Sequence, residues 1–405
     1  MSAPPAPPGT TRAERGKWVL LFVLSGNMVL DSIEGSVLLL AMPAIGRQLG
    51  VPLATTQWML SGFAFGFAAF IVLGPALTAR WGRRAIYLGA MLAFTVASVA
   101  GGVVENTAVL IAARVVKGCC VALTAPAGLA LISTAFPDGP RQRRAVTIYS
   151  LFGASGFTIG LLLSGSFAEW DWRWTFLAPA AVALVLLLVA PKVIPSAPAP
   201  RLPRLTAAVL RDGSLMRSTL GAATLNGAYI GLLLLISIQL SERYEWPSWQ
   251  IAVALLPACV PLVISVPFAG GLVRRFGTVR LIAIGAGAAV LGDLLYLWRP
   301  VPAPYPAGLL PVLLLIETGL VLSFAALNMQ STSTIEPRLR PVAVACYQTG
   351  VQLGAGVLLA VTGILLSAAG SYRPALLVIA AAGALGCGIA VAGLRKNLPE
   401  REFHS

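Results

Sequence analysis

Twelve apolar runs of about 20 residues, separated by turn residues and charge, constrain this chain more than any other feature. Each is long enough to cross the hydrocarbon core of a bilayer as a helix. The expected spans are 18–43, 55–78, 84–104, 107–135, 145–168 and 173–194, then 218–240, 249–272, 279–299, 308–334, 342–368 and 373–395. Between the sixth and seventh lies PSAPAPRLPRLTAAVLRDGSLMR (195–217), Pro-rich and basic, which divides the chain six plus six. The expected plan is a disordered cytoplasmic tail at 1–17, a six-helix half at 18–194, a linker at 195–217, a second half at 218–395 and a tail at 396–405. The fold class is an all-α polytopic membrane protein.

Composition agrees. The chain is 57% hydrophobic and 11% charged, too little polar surface to keep a soluble domain dispersed. A formal charge of +14 would suit nucleic acid only if the basic residues gathered on one polar face. They sit instead in short loops. With the N-terminus inside, 22 of the 29 Arg and Lys fall in cytoplasmic segments, five in external loops and two in the fourth span. Both termini are therefore expected to face the cytoplasm. The polar, Pro-rich start MSAPPAPPGTTRAERGK lacks a cleavage-site pattern, so it is read as a tail and not a removed signal peptide.

Several chemistries drop out. His404 is the only histidine, which removes His-based triads and His metal sites, and no GxxxxGK[ST] loop is present. The five cysteines lie in apolar runs without metal-ligand spacing and read as small hydrophobes. No nucleophile–base or metal constellation is visible, so no enzyme is expected.

The halves echo each other. PALTARWGRR (75–84) follows the second span and GGLVRRFGTV (270–279) the eighth; Leu77, Arg80 and Gly82 align with Leu272, Arg275 and Gly277 at an offset of 195. PRQR (140–143) and PRLR (337–340) repeat at an offset of 197. Two parallel repeats of six spans are the plan of a transporter that rocks around a central site.

These residues resemble the major facilitator superfamily, and within it the drug:proton antiporter families. EGSVLLLAMPAIGRQLGV is similar to their first-helix motif, an acid nine residues before a proline, with Glu34 and Pro43 in those places and Asp31 an additional acid. The loop after the second span resembles G-x-L-x-D-R-x-G-R-R: Leu77, Arg80, Gly82, Arg83 and Arg84 match, while Pro75 and Ala79 replace the glycine and the aspartate. In the second half Gly270 takes the first place and Arg274 the aspartate's. ARVVKG (113–118) resembles R-x-x-Q-G, with Lys117 for the glutamine. GFTIGLLLSG (156–165) is similar to the antiporter motif G-x-x-x-G-P-x-x-G-G: Gly156, Gly160 and Gly165 match, Leu161 replaces the proline and Ser164 a glycine. DWRWTFL (171–177) is typical of drug exporters at the sixth span.

The resemblance implies a fold in which spans 1, 4, 7 and 10 line a central cavity. Two carboxylates on one span would cost roughly 2.5–3.5 kcal/mol each at the bilayer centre, so partners are expected. Asp31 and Glu34, three residues apart, share a helical face. Counted from the outer ends, they lie at a depth comparable to Arg114 and Lys117 in the fourth span, with Glu317 similarly deep in the tenth. Burial opposes ionisation of a carboxyl and a guanidinium favours it, so such a site can exchange protons. Glu34 is expected to carry the proton, coupled to Asp31, with Arg114 and Lys117 as counter-charges; the alternative is a static clamp between spans 1 and 4. Glu317 is a candidate second proton site, cation contact or structural partner. Asn226, Tyr229, Asn328, Gln348 and Gln352 line the cavity or bond between helices. Asp293 is expected to snorkel or to pair with Arg299.

The implied activity is export of a small amphipathic drug or secondary metabolite in exchange for protons, across a bacterial cytoplasmic membrane. The proton gradient supplies the drive, no cofactor or nucleic acid is involved, and a monomer is expected. The alternatives are proton-coupled uptake of a nutrient and a non-transporting receptor or scaffold.

Overall fold

The computed structural model describes residues 12–136, 139–194, 207–298, 305–369 and 371–397. Residues 1–11, 195–206 and 398–405 of the expected tails and linker lie outside the described residues, as do Arg299 and His404. Among the described residues every regular element is helical. The first half holds α1 (Arg12–Ile33), α2 (Met42–Leu49), α3 (Leu53–Thr56), α4 (Trp58–Trp81), α5 (Arg83–Val103), α6 (Thr107–Ala135), α7 (Pro140–Trp170) and α8 (Trp174–Val193). A short α9 (Ala207–Leu210) precedes the second half: α10 (Gly213–Arg243), α11 (Ser248–Ala254), α12 (Val260–Ser265), α13 (Ala269–Phe276), α14 (Thr278–Trp298), α15 (Leu309–Ser331), α16 (Arg340–Ala369) and α17 (Arg373–Asn397).

Eleven of these helices, α3 with α4 counted as one, are long and apolar enough to cross a membrane. A bent pair at Ser248–Ala254 and Leu256–Ser265, with 45° between its arms, makes up to a twelfth. Helices are the expected solution because a bilayer offers no water to satisfy backbone groups. Large apolar side chains such as Phe22, Val96, Val185 and Leu188 stand exposed on the outside, as lipid contact requires.

Two expected spans are not continuous helices. The eighth, read as 249–272, breaks into α11, a 3₁₀ turn at Leu256–Ala258, α12 and α13. Pro257, Pro261 and Pro267 remove three backbone donors there, which an uninterrupted helix cannot accommodate. The first, read as 18–43, ends as a helix at Ile33 and resumes at Met42. In between, bonds tighten to the 3₁₀ pattern, with Ser36 N donating to Ile33 O (3.0 Å) and Leu39 N to Ser36 O (2.9 Å).

The repeat is visible in the backbone. Gly82 ends α4 with φ 82° and ψ 150°, and Gly277 ends α13 with φ 78° and ψ 153°. Only glycine adopts this conformation without strain, which accounts for the shared residue in both loops.

Small residues then set how closely helices approach. A Cβ at Gly118 of α6 would collide with the backbone of Phe63 and lie 2.9 Å from Phe67 N on α4. On α7, a Cβ at Gly156 would lie 2.7 Å from Val29 O, and one at Gly160 would lie 2.8 Å from Ile33 O. These contacts seat α6 against α4 and α7 against the end of α1, where the acids are. The largest apolar cluster runs from α10–α16 into Leu38–Met42 and Leu60, so the halves share a core at one end of the molecule.

Candidate functional site

Glu34 is the first residue beyond α1, at the start of the break. Glu34, Arg114 and Lys117 are each 0% exposed. Arg114 pairs with Glu34 Oε2 through Nη1, and its Nη2 donates to the Glu34 carbonyl at 2.8 Å. Its Nε donates to Met59 O of α4 at 3.2 Å. One guanidinium thus ties the broken helix, α4 and α6 together through its fixed fork of donors. Lys117, one turn along α6, holds Glu34 Oε1 at 2.8 Å. Its ammonium also sits 4.9 Å from the Phe94 ring centre and 5.1 Å from that of Phe176, while Arg114 lies 4.6 Å over Phe63.

Asp31 lies on α1 and faces the same helix, α6, but engages different groups. It accepts from Asn27 Nδ2 at 2.8 Å and from Thr124 Oγ1 at 3.3 Å. The ion pairs of Arg114 and Lys117 go to Glu34. The two carboxylates therefore have separate surroundings, one ionic and one neutral. Their sequence spacing places them side by side without making them share partners.

The break is braced by α7. Ser164 Oγ accepts from Leu40 N at 2.9 Å, and Ser36 Oγ donates to Phe157 O at 2.7 Å. Ser164, which stands for a glycine of the resembled motif, thus supplies an acceptor that glycine lacks. Gly165 of the same motif faces the other half: a Cβ there would lie 2.7 Å from Ala252 Cβ and 2.8 Å from Ser248 O on α11.

Glu317, on α15, is not part of this cluster. It is buried, and its Oε1 accepts from Leu262 N at 2.7 Å, satisfying a donor that the broken eighth span leaves free. Tyr229 of α10 donates to Ala258 O in the same break and lies 6.3 Å, ring to ring, from Phe157 of α7. Asn226, Asn328, Gln348 and Gln352 are half-buried. Asp293 does not snorkel: it is 3% exposed and turned inward, and Arg299 lies outside the described residues.

The loop residues lie at the far end of α4 from Leu60, and on α13 and its end. Arg84 donates to Pro191 O at 2.7 Å, tying α5 to the end of α8. Arg80 stacks on Trp81 and Arg275 on Phe276, at 5.8 and 5.4 Å. Arg83 and Leu77 are half-buried, as is Leu272 against the core, and Gly270 is exposed.

Sequence reasoning missed four partners: Asn27 and Thr124 for Asp31, Ser164 for Leu40, and the backbone of Leu262 for Glu317. The prolines of LPACVPLVISVPF were the available signal for the last. No such signal existed for Thr124, which lies on α6, 93 residues from Asp31.

A helical protein of up to twelve spans in two repeated halves, with ionisable side chains buried where one span breaks, is a multi-pass membrane protein of the secondary-transporter type. The family model described as Major Facilitator Superfamily matches residues 24–355, and the chain belongs to that superfamily. The family and its relatives are transporters, not enzymes.

Among curated relatives, the chain is 34% identical over 173 residues to "Puromycin resistance protein pur8" of Streptomyces alboniger, covering 42% of this chain and 34% of that protein. It is 30% identical over 231 residues to "Cephamycin export protein CmcT" of Amycolatopsis lactamdurans, covering 57% and 45%. It is 32% identical over 190 residues to "Multidrug efflux pump LfrA" of Mycolicibacterium smegmatis, covering 46% and 38%. The matches therefore span about a third to a half of those relatives. Among solved structures, a bacterial homologue of the human lysosomal transporter Spinster, in an inward-facing and unoccupied conformation, aligns with TM-score 0.72 at 18% identity over 98% of this chain and 100% of that one. The nucleoside transporter NupG aligns with TM-score 0.73 at 13% identity over 92% and 99%. These structures share the fold.

Proposed function

We propose that this chain is a secondary active exporter that exchanges protons for a small amphipathic drug or secondary metabolite. It works as a monomer in a bacterial cytoplasmic membrane with both termini inside, drawing on the proton gradient without a cofactor. The relatives named for antibiotic resistance and drug export support the substrate class. The distribution of arginine and lysine supports the orientation.

The observation that carries the reading is the fully buried Glu34–Arg114–Lys117 cluster at the break of the first span. Ionised, Glu34 offsets two cations. Protonated, it leaves both without a counter-charge, and removing one partner of a buried pair costs about 3–5 kcal/mol. The protonated protein therefore favours an arrangement in which Arg114 and Lys117 meet water or another anion. Substrate entering the cavity lined by Asn226, Tyr229, Glu317, Asn328, Gln348 and Gln352 biases the same balance. Asp31, held by neutral groups, responds to the charge on Glu34 without sharing its partners. The fifth-span residues Gly156, Gly160, Ser164 and Gly165, on α7, hold the break and the closed end. The loop residues Leu77, Arg80, Gly82, Arg83, Arg84, Gly270, Leu272, Arg275 and Gly277 form the cytoplasmic gate.

The test is uptake of fluorescent amphipathic dyes into inside-out vesicles acidified inside, wild type beside Glu34→Gln. Gradient-driven accumulation by wild type and its loss in a folded mutant is the expected result. Equal accumulation by both removes Glu34 from the coupling path. Accumulation under the opposite gradient makes the protein an importer.

A further inference from the structure

The second half contains an acid that the ion-pair cluster does not use. Asp293, five residues before the end of α14, is 3% exposed, and its Oδ2 has no hydrogen-bond partner among the described residues. It is aimed at Gly383 of α17, where a Cβ would come within 2.6 Å of Oδ2, so the glycine makes room for the carboxyl. A narrow cavity of about 20 Å³ opens beside it between α10, α14, α15 and α17, bordered by Thr224, Tyr229 and Ser323. That is room for about one or two waters. A second cavity of about 20 Å³ shares Gly221, Ile282, Leu327 and Gly386 with the first and reaches Arg217 near the start of α10. From Tyr229 to Arg217 the pair of cavities follows α10 for about 18 Å, at 1.5 Å per residue.

We propose that Asp293 is a proton-binding site of the second half, loaded and emptied through the cavities between α10, α14, α15 and α17. A buried carboxylate without a partner is costly, so the group must carry a proton or meet water whenever it loses one. The cavities provide room for that water. The titratable groups around it are few. From α10 come Tyr229, which donates to Ala258 O, and Arg217 at the far mouth. From α15 comes Glu317, next to the cavity-lining Ile316 but bonded to Leu262 N. From α14 itself comes Tyr296, which donates to Gln239 at 2.5 Å. From α17 the cavity is lined by Gly383 and Gly386, without charge. Among the described residues, no basic side chain borders the first cavity.

The site needs no export substrate and stands apart from Glu34, so it can be tested without the export reading. Infrared difference spectra of purified protein in lipid, taken between pH 5 and 9, report the C=O stretch of protonated carboxyls. The expected result is a band that changes with pH, persists in Glu34→Gln and disappears in Asp293→Asn. If Asp293→Asn does not fold, Asp293→Glu serves instead, and a shift in the position of the same band is expected. A spectrum unchanged by either substitution overturns the proposal. So does a band assigned to Asp293 that stays constant across the pH range, because the carboxyl is then a permanently neutral packing group. Displacement of the band by sodium at fixed pH, relative to choline, makes it a cation site and overturns the proposal as well.

Discussion

At the scale of single residues, Arg114 is the side chain on which the charge cluster turns. It donates to the carboxylate of Glu34, to the carbonyl of Glu34 and to Met59 O, three acceptors on two other segments. One ammonium cannot span them, so Arg114→Lys keeps the charge and loses the fork. Two buried hydrogen bonds lost at about 1–1.5 kcal/mol each predict a destabilisation of about 2–3 kcal/mol. Thermal unfolding in detergent would register it, and a wild-type midpoint would mean that the three acceptors are satisfied some other way. Asp31 shows the limits of charge counting. Its sequence position announces an intramembrane acid with a cation nearby, yet an amide and a hydroxyl hold it. Both partners belong to residue types common in any helix, and only the folded contact with α6 singles them out.

At the scale of elements, the informative places are the breaks. Hydropathy alone reads the first and eighth spans as continuous, because an apolar run looks the same whether or not it stays helical. The eighth carries three prolines that mark its bend, whereas the first breaks ahead of Pro43 with no residue that forces it. What stabilises it comes from α7, 124 residues away in the case of Ser164 and Leu40. Long spans, basic loops and the internal repeat were therefore legible, being local or periodic. The geometry of the acids was not, since it depends on contacts between distant helices. Ser164→Ala should strand the Leu40 N–H in an apolar interior, at a cost of about 1–3 kcal/mol. A melting curve matching wild type would imply that the backbone at 34–41 finds its own acceptor. Small residues at 156, 160 and 165 carry the same lesson: their spacing predicts close packing but not what they pack against.

At the scale of the whole molecule, the halves meet where α4 begins and α16 ends. Gln57 packs on Gly363, Gly356 lies against Phe65, and Ser248 N donates to Glu169 across the two halves. At the other end, most of α13 and the last turn of α4 are exposed. A Cβ at Gly363 would stand 3.4 Å from that of Gln57, close to the separation in a disulfide. Gln57→Cys with Gly363→Cys, on a background lacking the five native cysteines, should therefore cross-link under mild oxidation and lose transport until reduced. Failure to cross-link would mean that this end is not closed in the resting protein.

Gly82 and Gly277, 195 residues apart, turn the chain alike at matching places in the two halves. At the same interval, Asn226 corresponds to Asp31 and Tyr229 to Glu34. One half carries a pair of acids where its counterpart carries an amide and a phenol. The two halves thus share an architecture and differ in its occupants, the ionic work falling to the first at these positions.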